Sequence, residues 1–258
     1  MDNNNKINDI TEYISEAVRR YKARTGASRF TPKAALIDMD GTLYDSMRNH
    51  ARAWHRMVSE QGMACTEEEF FLVEGMTGAE TINDIMLRER GREATADERR
   101  DLYAIKARYF NELPRPEAMP GAARMLRTLE ERGVKRVLVT GSGQSSLLNR
   151  LANDFPGAFL PGMRITSADV TRCKPHPEPY LRGMGLAGTE PWQTMVIENA
   201  PLGVKSGHDA GAFTVAVTTG PIPREEMEKA GADIIFPSME AFADALPQLL
   251  KQSAPQWR

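Results

Sequence analysis

Short, wholly apolar stretches in the C-terminal half of the chain alternate with longer segments whose apolar residues recur at helical spacing. The short stretches indicate buried strands, and the longer segments indicate helices that cover them. A first short strand, residues 34–37, precedes all of these. Strands that alternate with helices predict an α/β fold, in which a Rossmann-like parallel sheet carries helices on both faces. The remaining predicted strands lie near 136–140, 163–166, 194–198, 213–217 and 233–236.

The region 46–113 breaks this alternation. It contains only helical apolar stripes, one of which is formed by Met47, Ala51, Trp54 and Val58, and it ends at a group of prolines that begins with Pro114. We therefore predict a helical cap inserted after the first strand. Residues 7–24 form another amphipathic helical pattern, whose role the sequence leaves open. The predicted units are an N-terminal helical extension (1–32), a core domain (33–45 and 119–258) and a cap domain (46–118).

Composition narrows the class of protein. The chain has 258 residues, of which 41% are hydrophobic, and a net charge of -2, so no broad attraction to nucleic acid is expected. Its two cysteines, Cys65 and Cys173, do not suggest a disulfide framework. The polar N-terminus lacks a signal-peptide core, and no apolar run approaches the ~20 residues of a membrane span. We expect a cytoplasmic monomer with neither a nucleic-acid nor a membrane partner.

Polar residues follow the predicted strands where ligands bind in open parallel sheets, beyond the carboxyl ends. Each group is a weak signal by itself, since an isolated Asp-x-Asp or Thr-Gly-Ser-Gly is usually a cap or a turn. Together and in this order they predict one site at the sheet edge. The groups are Asp38 and Asp40 after the first strand, Thr140, Gly141 and Ser142 after the second, Lys174 in a later loop, and Glu198 and Asn199 after the fourth.

These residue types suit phosphoryl transfer. The Asp38 carboxylate is a nucleophile for phosphorus, and Asp40 is placed to give and take protons. Thr140 and the amides of Gly141 and Ser142 would donate to phosphate oxygens, and Lys174 would supply positive charge. Oxygens of Asp38, Asp40, Glu198 and Asn199 form a ligand set that favours Mg²⁺ over zinc.

The segments DMDGT, VLVTGSG, CKPHPEPY and VIENAPLGVKSGHDAG resemble the four motifs of the haloacid dehalogenase superfamily over about residues 33–250. The resemblance implies an aspartyl-phosphate intermediate, Mg²⁺, and a cap that closes over a small phosphorylated substrate. The stretch DMDGTLYDSMRNHARAW is similar to the β-phosphoglucomutase-like branch. That similarity implies that His50, and a cap lysine which we place at Lys106, face the active site.

Two positions depart from the mutase pattern. The fourth motif has Asn199 where the family usually has an aspartate, and Gly78 lies near the position of an arginine that holds a second phosphate. We expect Glu74, in the cap loop, to reach the magnesium instead. This combination resembles inorganic pyrophosphatases of the superfamily, which we take as the first hypothesis. A sugar-phosphate phosphatase or a β-phosphoglucomutase is the alternative, and the intact set of motif residues argues against a non-catalytic binding module.

Overall fold

The computed structural model describes residues 3–143 and 145–252. The strands of this part of the chain are β1 (Ala34–Ile37), β2 (Lys135–Val139), β3 (Arg164–Ile165), β4 (Thr194–Glu198), β5 (Phe213–Val217) and β6 (Ile234–Phe236). Its α-helices are α1 (Asn3–Thr25), α2 (Met47–Glu60), α3 (Glu67–Leu72), α4 (Gly78–Arg90), α5 (Ala96–Glu112), α6 (Ala122–Glu131), α7 (Ser145–Asp154), α8 (Glu178–Ala187), α9 (Pro201–Asp209), α10 (Arg224–Lys229) and α11 (Met239–Gln252).

The six strands form one parallel sheet in the order β3-β2-β1-β4-β5-β6. β1 lies between β2 and β4, so that Leu36 pairs with both Val137 and Val196. The chain runs to one side of β1 for its next two strands and to the other side for the last three. This reversal opens a crevice at the carboxyl end of β1, where open α/β sheets bind their ligands. The predicted strands and parallel sheet are confirmed.

Successive side chains of β1 point to opposite faces of the sheet, and both faces are covered by other elements. Leu36 points into a cluster with Tyr180 and Met184 of α8, whereas Ile37 points into the larger cluster on the opposite face. All four residues of β1 are buried. A strand that buries both faces must be wholly apolar, which is the pattern that its sequence shows.

Helices α2–α5 lie between β1 and α6 and form the predicted cap. Each of α4 and α5 begins with a capping box, in which Thr77 pairs with Glu80 and Thr95 pairs with Glu98. Trp54 of α2 stacks on Phe70 of α3, with ring centroids 6.0 Å apart. The exact limits of the core and cap domains stay a prediction.

The N-terminal helix packs on the core. The Tyr21 hydroxyl donates to the carbonyl oxygen of Gly211 at 3.1 Å, and its ring contacts Phe213 edge-on. Arg24 forms an ion pair at 3.0 Å with the buried carboxylate of Asp233, the residue before β6. α1 is therefore an integral layer of the core. Among the described residues, the model contains no helix with the length and apolar character needed to cross a membrane.

Candidate active site

The site is built around the carboxyl end of β1, where the chain turns sharply. Asp38 and Asp40 follow the strand and are both buried. Gly41 makes the turn with φ +76°, and a Cβ there would lie 1.9 Å from the side-chain nitrogen of Asn199. Glycine is needed both for the left-handed conformation and for the close approach. The turn thereby brings the end of β1 against the residues that follow β4.

Lys174 is held between two carboxylates. Its Nζ donates to Asp38 Oδ1 at 2.6 Å and to the Val139 carbonyl oxygen at 3.1 Å, and it lies 2.6 Å from Glu198 Oε1. An ammonium group has three N–H donors, so these three acceptors satisfy it fully. The two anions raise the pKa of Lys174 although burial opposes the shift. A permanent cation therefore lies against the predicted nucleophile.

Glu198 is held by hydrogen-bond donors of the protein on both of its oxygens. Its Oε1 accepts from the Tyr180 hydroxyl at 2.5 Å in addition to Lys174, and its Oε2 accepts from the backbone N–H groups of Asn199 and Ala200 at 3.0 and 3.4 Å. Both oxygens are thus engaged by protein donors. These contacts fit a role for Glu198 in orienting Lys174, and its coordination of the cation stays a prediction.

Asp40 ends a chain of hydrogen bonds that reaches into the cap. Ser46 donates to Asp40 Oδ1 at 2.6 Å, and His50 Nε2 lies 2.9 Å from the same oxygen. Lys106 Nζ lies 2.6 Å from His50 Nδ1. Because lysine only donates, His50 Nδ1 must accept, and Nε2 must carry the proton that it donates to Asp40. His50 and Lys106, which we expected to face the active site, thus reach Asp40 in series, and their role toward substrate stays a prediction.

The two aspartates differ in acidity. Burial raises the pKa of Asp38 to about 8, helped by Glu198 and Asp40 and opposed by Lys174. Burial also acts to raise the pKa of Asp40, but His50 and Ser46 outweigh it and hold that pKa below its usual value. A cation next to Asp38 would favour its ionised form, which is the form that attacks phosphorus.

The loop after β2 meets the loop of the cap. Thr140 is buried, and its hydroxyl oxygen accepts from the Ser142 backbone N–H at 3.0 Å. A Cβ on Gly141 would lie 2.4 Å from the carbonyl oxygen of Gly75, so the two backbones are in direct contact. They enclose a chamber of about 20 Å³, whose lining includes His50, Lys106, Gly141, Ser142 and Glu74. That volume holds about one water molecule.

Two buried polar atoms of the site have no hydrogen-bond partner in the part of the chain that the structure describes. Among the described residues, Asp40 Oδ2 and Asn199 Nδ2 are the buried side-chain atoms without a hydrogen-bond partner. Thr42 contacts Asn199 Oδ1 at 3.4 Å through a hydroxyl, which donates or accepts equally well. A half-turn of the Asn199 side-chain amide therefore places its carbonyl oxygen where the unpartnered Nδ2 lies. Asp38, Asp40 and Asn199 then offer the oxygen-only set that Mg²⁺ prefers.

Sequence reasoning missed three residues of this site. Ser46 hydrogen-bonds Asp40, and Tyr180 hydrogen-bonds Glu198. Tyr103 lines the chamber from α5. Tyr180 ends the third quoted motif, and Tyr103 lies one turn before Lys106 on the same helix face, a spacing that signals shared surroundings.

A family model described as haloacid dehalogenase-like hydrolase matches residues 32–211. The chain belongs to this family. This haloacid dehalogenase-like hydrolase shares 31% identity over 208 residues with hexitol phosphatase A of Escherichia coli, across 81% of this chain and 92% of that one. It shares 25% identity with the β-phosphoglucomutase of Bacillus subtilis, across 88% and 97% of the two chains.

A solved structure from Bacteroides vulgatus, provisionally described as a β-phosphoglucomutase, covers 95% of this chain and all of its own. It has a TM-score of 0.91 and 41% sequence identity. Together these comparisons place the hydrolase in the β-phosphoglucomutase-like branch. The relatives named here act by name on phosphorylated sugars or polyols, so they favour the sugar-phosphate alternative over pyrophosphate.

Proposed function

We propose that this hydrolase is a magnesium-dependent phosphatase of small phosphorylated sugars or polyols that works through an aspartyl-phosphate. One observation carries the proposal: the Asp38 carboxylate is buried at the carboxyl end of β1, with Lys174 at 2.6 Å and Asp40 two residues away. A buried carboxylate beside a fixed cation and a second acid is the arrangement required for nucleophilic attack with proton transfer.

In the first step, an Asp38 oxygen bonds to phosphorus, and the bond from phosphorus to the leaving oxygen breaks. Asp40 gives that oxygen its proton. Because Oδ1 of Asp40 is occupied by Ser46 and His50, the transferred proton belongs on Oδ2. An arriving phosphate dianion raises the pKa of Asp40, since like charges oppose each other.

In the second step, water attacks phosphorus of the aspartyl-phosphate, Asp40 accepts a proton from that water, and Asp38 leaves as a carboxylate. Lys174 neutralises part of the charge on the phosphoryl oxygens in both steps. Asp38 and Asn199 would hold Mg²⁺ through side-chain oxygens and Asp40 through its main-chain carbonyl oxygen, which leaves Oδ2 of Asp40 for the proton. The ion would supply further neutralisation of phosphate charge when bound. The chamber must open before any ester enters, because its volume is only about 20 Å³. We therefore propose that the cap moves away from the core, with hinges near Asp45–Met47 and Pro114–Gly121, and closes again on the substrate.

The relatives support the sugar class, and the chamber lining is compatible with it. Glu74 would accept hydrogen bonds from sugar hydroxyls, while the rings of Trp54 and Tyr103 present apolar faces. Aromatic faces and a few polar groups are the usual lining of small-molecule sites.

A specific observation favours inorganic pyrophosphate as a second candidate. Glu74 lines the closed chamber, where burial raises its pKa to about 8 and the neighbouring Asp40 adds to the shift. A carboxylate in that position is poorly placed for an anionic ester but well placed for a cation carried by the substrate. Because Asn199 is neutral, the metal site carries one negative charge fewer, which the Glu74 carboxylate would replace. Pyrophosphate is also smaller than a sugar phosphate.

A substrate panel tests both candidates. We would measure kcat/KM for pyrophosphate, a hexitol phosphate, a hexose 6-phosphate and an aryl phosphate at saturating Mg²⁺. The proposal expects the hexitol or hexose ester to exceed pyrophosphate by at least about tenfold, a difference of 1.4 kcal/mol in transition-state stabilisation. The reverse order would transfer the assignment to pyrophosphate. Asp38→Asn is the control for contaminating activity, since it keeps the side-chain shape and removes the nucleophile.

A further inference from the structure

We propose that the ring of Tyr103 is the wall that limits the size of the leaving group in this hydrolase. The inference rests on the proposed phosphatase activity and adds the residue that sets its substrate range. Tyr103 lines the chamber of about 20 Å³ and also a separate cleft of about 530 Å³ at the seam between cap and core. Gly78 likewise lines both spaces. The phenol ring therefore lies between the small chamber, which is lined by His50, Lys106 and Gly141, and the larger cleft.

Two glycines hold the ring in this position. A Cβ on Gly78 would lie 2.1 Å from Cδ2 of Tyr103, and a Cβ on Gly143 would lie 2.9 Å from its hydroxyl oxygen. The Gly143 backbone N–H donates to that oxygen. The ring thus fills the space that side chains at both positions would occupy. Because Gly78 belongs to the cap and Gly143 to the loop after β2, the wall is complete only when the cap is closed.

The ring is also packed from within the chamber. Lys106 Nζ lies 5.7 Å from its centroid, and the Trp54 ring centroid lies 6.1 Å away at an interplanar angle of 54°. A cation over the ring face and a neighbouring aromatic ring both restrict its orientation. Tyr103 is therefore a fixed partition, and a substrate does not displace it by a simple rotation.

The cleft beyond the partition has the chemistry of a polyol site. Its lining includes the hydroxyl residues Ser167 and Thr171 and the guanidinium groups of Arg99 and Arg100. Arg100 is already paired with Asp97 and Asp101 on its own helix, so the cleft carries little net charge from it. Without the ring, the carbon chain of a phosphorylated polyol would extend from the phosphate site into this cleft.

The test compares Tyr103→Ala and Tyr103→Phe with the wild type on polyol phosphates of three, six and twelve carbons. In the wild type, kcat/KM should fall steeply as the chain lengthens. Tyr103→Ala should raise the ratio of the six-carbon to the three-carbon ester by roughly tenfold to two-hundredfold, the usual range for discrimination by pocket shape. Tyr103→Phe keeps the ring, so the ratio should stay within about fivefold of wild type, since one hydrogen bond contributes about 1 kcal/mol.

Ile105→Ala is the matched control, because Ile105 is half-buried on the same helix and lines neither space. If Tyr103→Ala hydrolyses the three-carbon ester but keeps the wild-type ratio, the partition role is wrong and the phosphatase proposal stands. If the wild type hydrolyses no ester faster than Asp38→Asn, the phosphatase proposal fails instead.

Tyr103→Leu provides a smaller truncation if the alanine variant melts below the assay temperature, and it should move the ratio in the same direction. The contact with Gly78 is tested separately. Gly78→Ala should lower kcat/KM for every ester because its methyl group meets the ring, and combining it with Tyr103→Ala should restore activity. A double variant as impaired as Gly78→Ala alone would overturn the proposed position of the ring.

Discussion

Glu198→Gln separates two roles for this residue, that of a metal ligand and that of a group that holds Lys174 in place. The change keeps the side-chain shape, but one end of the new amide becomes a donor. One carboxylate oxygen accepts from Lys174 and Tyr180, and the other accepts from the backbone N–H groups of Asn199 and Ala200. Whichever way the amide points, its NH₂ group faces two donors. The variant therefore breaks one pair of hydrogen bonds and removes half of the negative charge around Lys174.

The size of the effect follows from those contacts. A hydrogen bond to a charged group contributes about 1.5–3 kcal/mol, and removing one partner of a buried ion pair costs about 3–5 kcal/mol. Lys174 keeps Asp38 and the Val139 carbonyl, so we expect the lower end, a loss of about 3 kcal/mol in the free energy of unfolding. For a chain of this size, each kcal/mol lowers Tm by about 2–4 °C, which predicts a fall of about 6–12 °C.

The assay is thermal unfolding in EDTA, together with initial rates over a range of magnesium concentrations. The lysine-holding role predicts the full drop in Tm without metal, and a fall in kcat that added magnesium does not restore. Glu130→Gln is the control, since Glu130 forms an exposed ion pair with Arg136 and such pairs contribute about 0–1 kcal/mol. If Glu198→Gln kept the wild-type Tm in EDTA and regained its rate at high magnesium, Glu198 would be a ligand and the lysine-holding role would be refuted.

Other outcomes follow from the same site. Asp40→Asn should lower kcat/KM for an alkyl phosphate by about 10²–10⁴-fold but less for an aryl phosphate, whose leaving oxygen needs no proton; equal losses would exclude the acid role. Asn199→Asp should lower the magnesium concentration for half-maximal rate by about tenfold, because it adds a charged ligand, and an unchanged value would remove Asn199 from the metal site. Glu74→Gln should depress pyrophosphate hydrolysis by about 10–100-fold if Glu74 helps to bind the cation, and sugar esters much less; parallel changes would end the case for pyrophosphate.

The core fold could be predicted from the sequence because burial determines which positions within each strand and helix are apolar. β1 and its neighbours are short apolar runs, since strands covered on both faces have no solvent side that would interrupt the pattern. Helical stripes likewise marked the cap. The same logic predicted where the chemistry would collect: polar residues that end parallel strands share one edge, so Asp38, Thr140 and Asn199 come together although they are far apart in the chain.

The sequence by itself thus determined the sheet and the inserted cap, and it named the candidate reactive groups. Only the tertiary structure decided what each group touches: that one oxygen of Glu198 contacts Lys174, that the N-terminal helix packs on the core, and that Tyr103 fits between Gly78 and Gly143. The physical reason is range. The apolar pattern of a strand or helix depends on residues that are close together in the sequence. The direction of a hydrogen bond and the position of an aromatic ring depend instead on how segments that are distant in the sequence pack against one another.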